Sequence, residues 1–171
     1  MAEFPMEYSF CPKCGGALES RVIKPFEPAR MVCSGCEFVF FLDPKVAACC
    51  IVTLDQKVVL LKRAIQPGYG KWVFPGGYVD RGETVTAAAV REAKEEVNLT
   101  VQLVSLLGVY SYDQSPVIII VYVAEVEGGV LLASDESLEV KTFSPREIPW
   151  EELAFPSTTE ALKDFVKIYY S

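Results

Sequence analysis

From Lys45 onward, short apolar runs alternate with turn residues at strand-like spacing, and only twice does the rhythm change to that of a helix. Val46–Leu54 is almost wholly apolar, Asp55-Gln56 interrupts it, and Lys57–Arg63 resumes, which predicts a β-hairpin. Ala64–Lys71, with Pro67, Gly68 and Gly70, predicts a loop. Trp72-Val73-Phe74 predicts a short strand entering a glycine turn at Pro75-Gly76-Gly77. A helix follows over Val85–Val97, with Thr84 as its N-cap. Strands are expected at Val101–Tyr112 and Val117–Glu127, the second so evenly apolar that it belongs in the middle of a sheet. Gly128-Gly129 predicts a turn and Leu138–Phe143 a further strand. Ser157 and Glu160 stand at capping-box spacing, which predicts a last helix from Thr158 to about Tyr169. Hairpins mixed with helices in this way indicate an α/β fold with a mixed sheet between helices.

Residues 1–42 have a different texture. They contain Cys11-Pro-Lys-Cys14 and Cys33-Ser-Gly-Cys36 and too few apolar residues for a core of their own. The C-x2-C…C-x2-C spacing suits a tetrahedral thiolate Zn²⁺ site at Cys11, Cys14, Cys33 and Cys36. Gly15 fits the tight turn after the first pair, whereas Glu37 stands in the equivalent place after the second. Disulfides and redox-active thiols rank below zinc for a chain with no secretory signal, and four sulfurs also suit iron. Metal binding would add about ten kcal/mol or more to the folding of so small a unit. The expected division is a zinc ribbon at 1–42 and a larger domain at 43–171, joined at Leu42-Asp43-Pro44. Cys49 and Cys50 lie in an apolar run and are expected to be buried strand residues.

Charge and composition remove several function classes. The formal net charge of −7 argues against nucleic acid as a partner, because non-specific binding needs an excess of Lys and Arg. An anionic substrate would have to be met by a local metal and local cations instead. No apolar run is long enough to cross a bilayer, and the first residues lack the basic-then-apolar pattern of a secretory signal, so a cytoplasmic protein is expected. The chain has no histidine. That excludes Ser–His and Cys–His nucleophile systems and leaves carboxylates, Lys, Tyr, Cys or a metal-bound water for any catalysis.

The helix at Val85–Val97 carries the strongest chemical signal. Glu92, Glu95 and Glu96 are three and four positions apart, so their carboxylates share one face. Such crowding is unfavourable unless a cation sits among them, and hard oxygen donors suit Mg²⁺ or Mn²⁺. A bare acidic helix is more often a solvated face with ion pairs such as Arg91–Glu95. The wider spacing, Gly77-x5-Glu83-x7-Arg91-Glu92-x2-Glu95-Glu96, is much more specific. It resembles the signature of the Nudix hydrolases, G-x5-E-x7-R-E-U-x-E-E-x-G-U with U aliphatic. Every charged position agrees. Ala93 stands where a larger aliphatic residue is usual, and Asn98 where the last glycine is usual. Asn tolerates a left-handed helix end second only to Gly.

The resemblance covers residues 45–171 and implies a Nudix α/β/α sandwich; the ribbon is similar to an N-terminal extension found in one Nudix subgroup. It implies hydrolysis of the pyrophosphate bond in a nucleoside diphosphate linked to another group. It also implies that Glu92 and Glu96 are direct ligands of Mg²⁺ or Mn²⁺, Glu95 a ligand directly or through water, and the Gly76 carbonyl a further one. Glu83 and Arg91 would orient those carboxylates, while Gly76 and Gly77 let the backbone approach closely. Glu95 and Arg91 accordingly join the catalytic set. The general base is expected in the stretch Asp135–Glu139, with Glu136 ahead of Glu139. Arg63 and Lys62 are equally suited to phosphate contact and to the surface, and Tyr110 and Tyr112 to base stacking and to packing. Ribbon-bearing relatives point to ADP-ribose or FAD, with NADH next. The NADH-type SQPWPFPxS array is absent, since AFPST at Ala154–Thr158 falls too far along the chain. A nucleotide-binding regulator with the same fold, its ribbon contacting protein or nucleic acid, is the alternative, and a housekeeping hydrolase of oxidised nucleoside triphosphates a third. The substrate in every case is a small nucleotide, and a homodimer accords with the habit of many family members.

Overall fold

A computed structural model describes residues 8–113 and 115–170. The first seven residues, which entered the reading of a missing secretory signal, lie outside the described residues. The chain separates into two units, one ending at Pro44 and one beginning at Lys45. No described helix is long and apolar enough to cross a membrane.

The first unit is a three-stranded antiparallel sheet of β1 (Leu18–Arg21), β2 (Arg30–Cys33) and β3 (Val39–Phe40). Its small interior consists of Cys11, Leu18, Met31 and Cys33, with Phe38 and Phe40 against them. Two of those four residues are cysteines of the C-x2-C pairs, so little apolar burial is available to hold the unit without the sulfur site.

The second unit is a seven-stranded mixed sheet. Its strands are β4 (Lys45–Leu54), β5 (Lys57–Arg63), β6 (Trp72–Val73), β7 (Gly76–Tyr78), β8 (Leu99–Tyr110), β9 (Val117–Gly129) and β10 (Ser137–Phe143). The main path runs β10-β5-β4-β9-β8, with β6 beside β5 and β7 beside β4. β4 and β9 are parallel and the other pairings antiparallel. Alternation along the strands divides the apolar residues between two helices. Cys49, Ile51, Val58, Leu60, Val121 and Val123 pack with Ala161, Leu162 and Phe165 of α2 (Pro156–Tyr169). Cys50, Val52, Val59 and Leu61 pack with Ala93 and Val97 of α1 (Val85–Val97). This is an α/β/α sandwich around a mixed sheet. Asp55 and Gln56 both take positive φ, the backbone of a two-residue hairpin turn.

Three local expectations need correction. Gly76 and Gly77 are not a turn but lie in β7, paired with Cys49 and Ala48 of β4. A Cβ at Gly76 would collide with Cys49, and one at Gly77 with the Glu92 carboxyl group, so the glycines serve close packing. Gly128 and Gly129 likewise continue β9, opposite Thr100 and Leu99. The last helix begins at Pro156, with Phe155 as N-cap and no side-chain cap. Pro at the first helical position has its φ already set, which outweighs the capping-box spacing; Ser157 and Thr158 are buried inside the first turn instead. A 3-10 turn at Trp150–Glu152 has no counterpart in the hydrophobic pattern of the sequence.

Candidate active site

Helix α1 begins as expected. Thr84 has an extended backbone and accepts from the Ala87 N–H at 3.2 Å. The helix ends at Asn98 with φ 57°, where the side chain donates to the Val130 carbonyl at 2.9 Å. Ala88, Ala89, Ala93 and Val97 form the buried face, and small side chains there bring the helix close to β4: the Cys50 thiol reaches the Ala89 carbonyl at 3.6 Å. The same close approach draws Glu96 inward until it is 7% exposed.

Glu96 accepts a hydrogen bond from the Gly76 N–H at 2.8 Å, linking α1 to β7. Arg91 is the hub of the other acidic groups. Its Nε and Nη2 grip both oxygens of Glu83 at 2.9 and 3.0 Å. Its Nη1 donates to Glu92 at 2.8 Å and to Glu95 at 2.9 Å, and its Nη2 also reaches the Tyr78 carbonyl at 3.2 Å. The Asp80 N–H adds a bond to Glu83 at 3.1 Å. A planar guanidinium can meet several carboxylates at once in this way, and a lysine cannot.

These groups border a cleft of about 780 Å³ in the second unit. Gly76, Gly77, Glu92, Glu95, Glu96 and Glu136 all line it. Glu83 and Arg91 stand behind that wall. Glu139 does not line the cleft and pairs with Lys141 instead. Arg63 and Tyr112 face the cleft, whereas Lys62 lies over the Trp72 ring and Tyr110 hydrogen-bonds Asp164. Cys49 and Cys50 are both buried, with Cys49 on the cleft floor. Burial pushes the thiols of both upward, Cys50 to about 12, so neither is a nucleophile at neutral pH.

Burial also dominates the electrostatics of the glutamates. It raises the Glu96 carboxyl to about 7, helped by Glu92 and Glu136 and opposed by the Gly76 N–H and by Arg63. Glu92 is raised by burial against the pull of Arg91, with Glu95 and Glu136 adding to the rise. The Arg91 hydrogen bonds hold Glu83 below the usual carboxylate range. Buried carboxylates that repel one another beside a cleft are a donor set that a hard divalent cation would satisfy. The glutamates do not draw together as the cysteines do. Among the described residues, Cys11, Cys14, Cys33 and Cys36 are the set whose ligand atoms all fall within 4.8 Å of one another.

In that sulfur cluster the Sγ–Sγ separations include 3.4 Å for Cys14–Cys33 and 3.8 Å for Cys11–Cys36. Those are the edges of a tetrahedron with metal–sulfur bonds of about 2.3 Å. None of the cysteines forms a disulfide. Backbone N–H groups of Lys13 and Gly35 point at Cys11 and Cys33 Sγ at 3.4 Å. Gly15 and Glu37 both have positive φ, so the two turns are alike despite their different residues, and Glu37 is tied to Arg21 at 2.7 Å.

Several cleft residues had no sequence signal of their own: Ile65, Gln66 and Pro67 in a loop, and Phe155, Ser157 and Thr158 at the start of α2. Phe155–Thr158 of the AFPST stretch, distant in sequence from the glutamate helix, line the same cleft as its glutamates. The one available clue was a proline followed by hydroxyl residues at a helix start.

A family model described as NUDIX domain matches residues 43–165, and one described as Nudix N-terminal, a zinc ribbon, matches residues 9–41. An ADP-ribose pyrophosphatase of Methanocaldococcus jannaschii is 41% identical over 135 residues, covering 77% of this chain and 78% of that protein. The NAD-capped RNA hydrolase NudC of Salmonella heidelberg is 26% identical over 155 residues, 87% of this chain and 56% of its own length. A crystal structure of a NUDIX hydrolase from Nitrosomonas europaea superposes with a TM-score of 0.90 at 34% identity, covering 95% of this chain and 93% of that one.

Proposed function

We propose, because this chain belongs to the Nudix family of hydrolases, that it cleaves the pyrophosphate bond of a nucleoside diphosphate linked to a second moiety, with ADP-ribose or FAD ahead of NADH. The observation that carries the reading is the buried Glu96 carboxyl group beside Glu92 and Glu136 on the cleft wall, hydrogen-bonded to Gly76. The 41% identical ADP-ribose pyrophosphatase supports the choice of substrate.

In this reading Glu92, Glu96 and Glu95 hold Mg²⁺ or Mn²⁺, with the Gly76 carbonyl as a further donor. The cation, when bound, neutralises charge on the diphosphate oxygens and acidifies water. Arg91 and Glu83 keep the carboxylates in place, Arg91 by bridging Glu83, Glu92 and Glu95. Glu136, exposed at the cleft edge, takes the proton of the attacking water on its carboxylate. The four cysteines of the ribbon hold Zn²⁺ in a structural role.

Incubation with ADP-ribose, FAD, NADH and nucleoside triphosphates, each with Mg²⁺ or Mn²⁺, tests the proposal. AMP should appear from ADP-ribose or FAD. Turnover of triphosphates alone would select the housekeeping reading. Binding without any turnover would select a regulator.

A further inference from the structure

A seam of side-chain hydrogen bonds ties β8 and the residues just past it to α2, and it runs in opposite order along the two elements. The hydroxyls of Ser105 and Tyr169 lie 3.0 Å apart, Tyr110 donates to Asp164 Oδ2 at 3.0 Å, and Tyr112 donates to Glu160 Oε2 at 3.0 Å. Glu160 and Asp164 are one turn apart on the helix, and Tyr110 and Tyr112 are alternate residues of the chain. Four helical residues advance about 6 Å and two residues of extended chain about 6.6 Å, so a single placement of α2 beside β8 closes both tyrosine bonds.

The two tyrosines differ in what their rings meet. Tyr110 packs against the apolar layer beneath α2. Tyr112 is half-buried and lines the cleft, at the end of the seam nearest the start of α2. Burial and the Glu160 carboxylate push the Tyr112 hydroxyl up to about 12, so it keeps its proton and donates. Glu160 itself is exposed and outside the residues that line the cleft. A tyrosine ring turns about two bonds, and a hydrogen bond at its far tip restrains both.

The wall that Tyr112 joins carries no charge. Ala47 pairs with Ile119 on one side and Tyr78 on the other, so these three side chains share a sheet face, and all line the cleft with Tyr112. The charged part of the lining comes instead from α1, the end of β5 and the residues before β10. A nucleotide whose phosphates meet the charged groups has one large, flat, uncharged part left to place. That part is the base, and bases pack on aromatic rings.

We propose that Glu160 is a positioning residue: it holds the Tyr112 ring as a wall of the uncharged part of the cleft, where the ring packs against the base of the nucleotide. The proposal rests on the hydrolase reading above. It gives α2 a part in substrate affinity through a residue that does not touch the substrate.

The test measures AMP and ADP-ribose affinity by calorimetry without divalent cation, and KM and kcat with Mg²⁺. The proteins are the wild type, Glu160→Ala, Glu160→Gln, Tyr112→Phe, the double variant Glu160→Ala with Tyr112→Phe, and Asp164→Ala. Ribose 5-phosphate, which has no base, is titrated in parallel. Glu160→Ala should weaken AMP binding and raise KM by about threefold to tenfold, the loss of one hydrogen bond, with kcat unchanged. Tyr112→Phe keeps the ring and should show the same loss. The double variant should lose no more than either alone, because both changes remove the same bond. Glu160→Gln keeps an acceptor and should restore most of the affinity. Asp164→Ala should lower the thermal midpoint and leave KM alone, and ribose 5-phosphate should be indifferent to every variant. Wild-type KM in folded Glu160→Ala overturns the proposal. So does an additive loss in the double variant, equal weakening of AMP and ribose 5-phosphate, or an equal KM rise in Asp164→Ala, which would make the seam purely structural. If the wild type hydrolyses nothing but AMP binding still falls alike in Glu160→Ala and Tyr112→Phe, the hydrolase reading fails and the positioning role stands. A wild type that binds neither nucleotide overturns both.

Discussion

Glu96 shows how far one residue's surroundings can alter its chemistry. On the sequence it is one of three glutamates on a helix face; in the fold it is buried beside Gly76, and its carboxyl is raised to about 7. A carboxyl whose pKa rises on folding binds its proton more tightly in the folded chain. Its contribution to stability is full below the ordinary value near 4.5 and is lost as pH climbs through about 7. Glu83, held low by Arg91, has the opposite sign, and its contribution is lost only as pH falls below the ordinary range. Without Mg²⁺ or Mn²⁺, the wild type should therefore lose on the order of 2 kcal/mol between pH 5.5 and pH 8 from Glu96. Urea unfolding at the two pH values measures it. Glu96→Gln should flatten that dependence, and it should also cut turnover by orders of magnitude while the fold persists. An equal pH effect in wild type and variant would assign it elsewhere, and full activity in the variant would remove Glu96 from the metal site. The spacing of the glutamates was legible in the sequence, but the burial that sets Glu96 apart from Glu95 was not, because it depends on alanines of α1 approaching β4.

Among the elements, α1 was the most legible. Its cap, its bounds and its left-handed end at Asn98 are marked by local chemistry, while packing of Ala93 and Val97 against the sheet stabilises the helix between those ends. Asn98→Ala should destabilise the protein by about 1–2 kcal/mol, since Ala in a left-handed backbone is strained and the bond to the Val130 carbonyl is lost. Asn98→Gly should cost less. Chemical denaturation of both variants measures the difference, and equal stability of the two would contradict the account. β7 was illegible for the converse reason: three residues containing two glycines have no strand signal, and their conformation comes from pairing with β4. The start of α2 was misplaced because Pro156 and the burial of Ser157 and Thr158 outweigh a capping pattern that depends on free side chains.

For the molecule as a whole, each unit depends on a different source of stability. The larger one has apolar layers on both faces of its sheet; the smaller one has a core in which two of the four buried residues are cysteines of the sulfur cluster. Cys33→Ser should lower the zinc content of the purified protein and melt the ribbon, because metal supplies about ten kcal/mol or more to such a unit. Elemental analysis and circular dichroism check this, and an unchanged zinc content would refute the four-cysteine site. The sequence by itself determined the strand and helix rhythm, the thiolate set and the spaced glutamates with their arginine, since each rests on near neighbours in the chain or on short fixed spacings. Only the tertiary structure decided which carboxylate is buried, which of Glu136 and Glu139 faces the cleft, and that Tyr112 meets α2 at Glu160. Those relations join residues far apart in sequence, and they exist only once the sheet has brought its strands and the two helices into register.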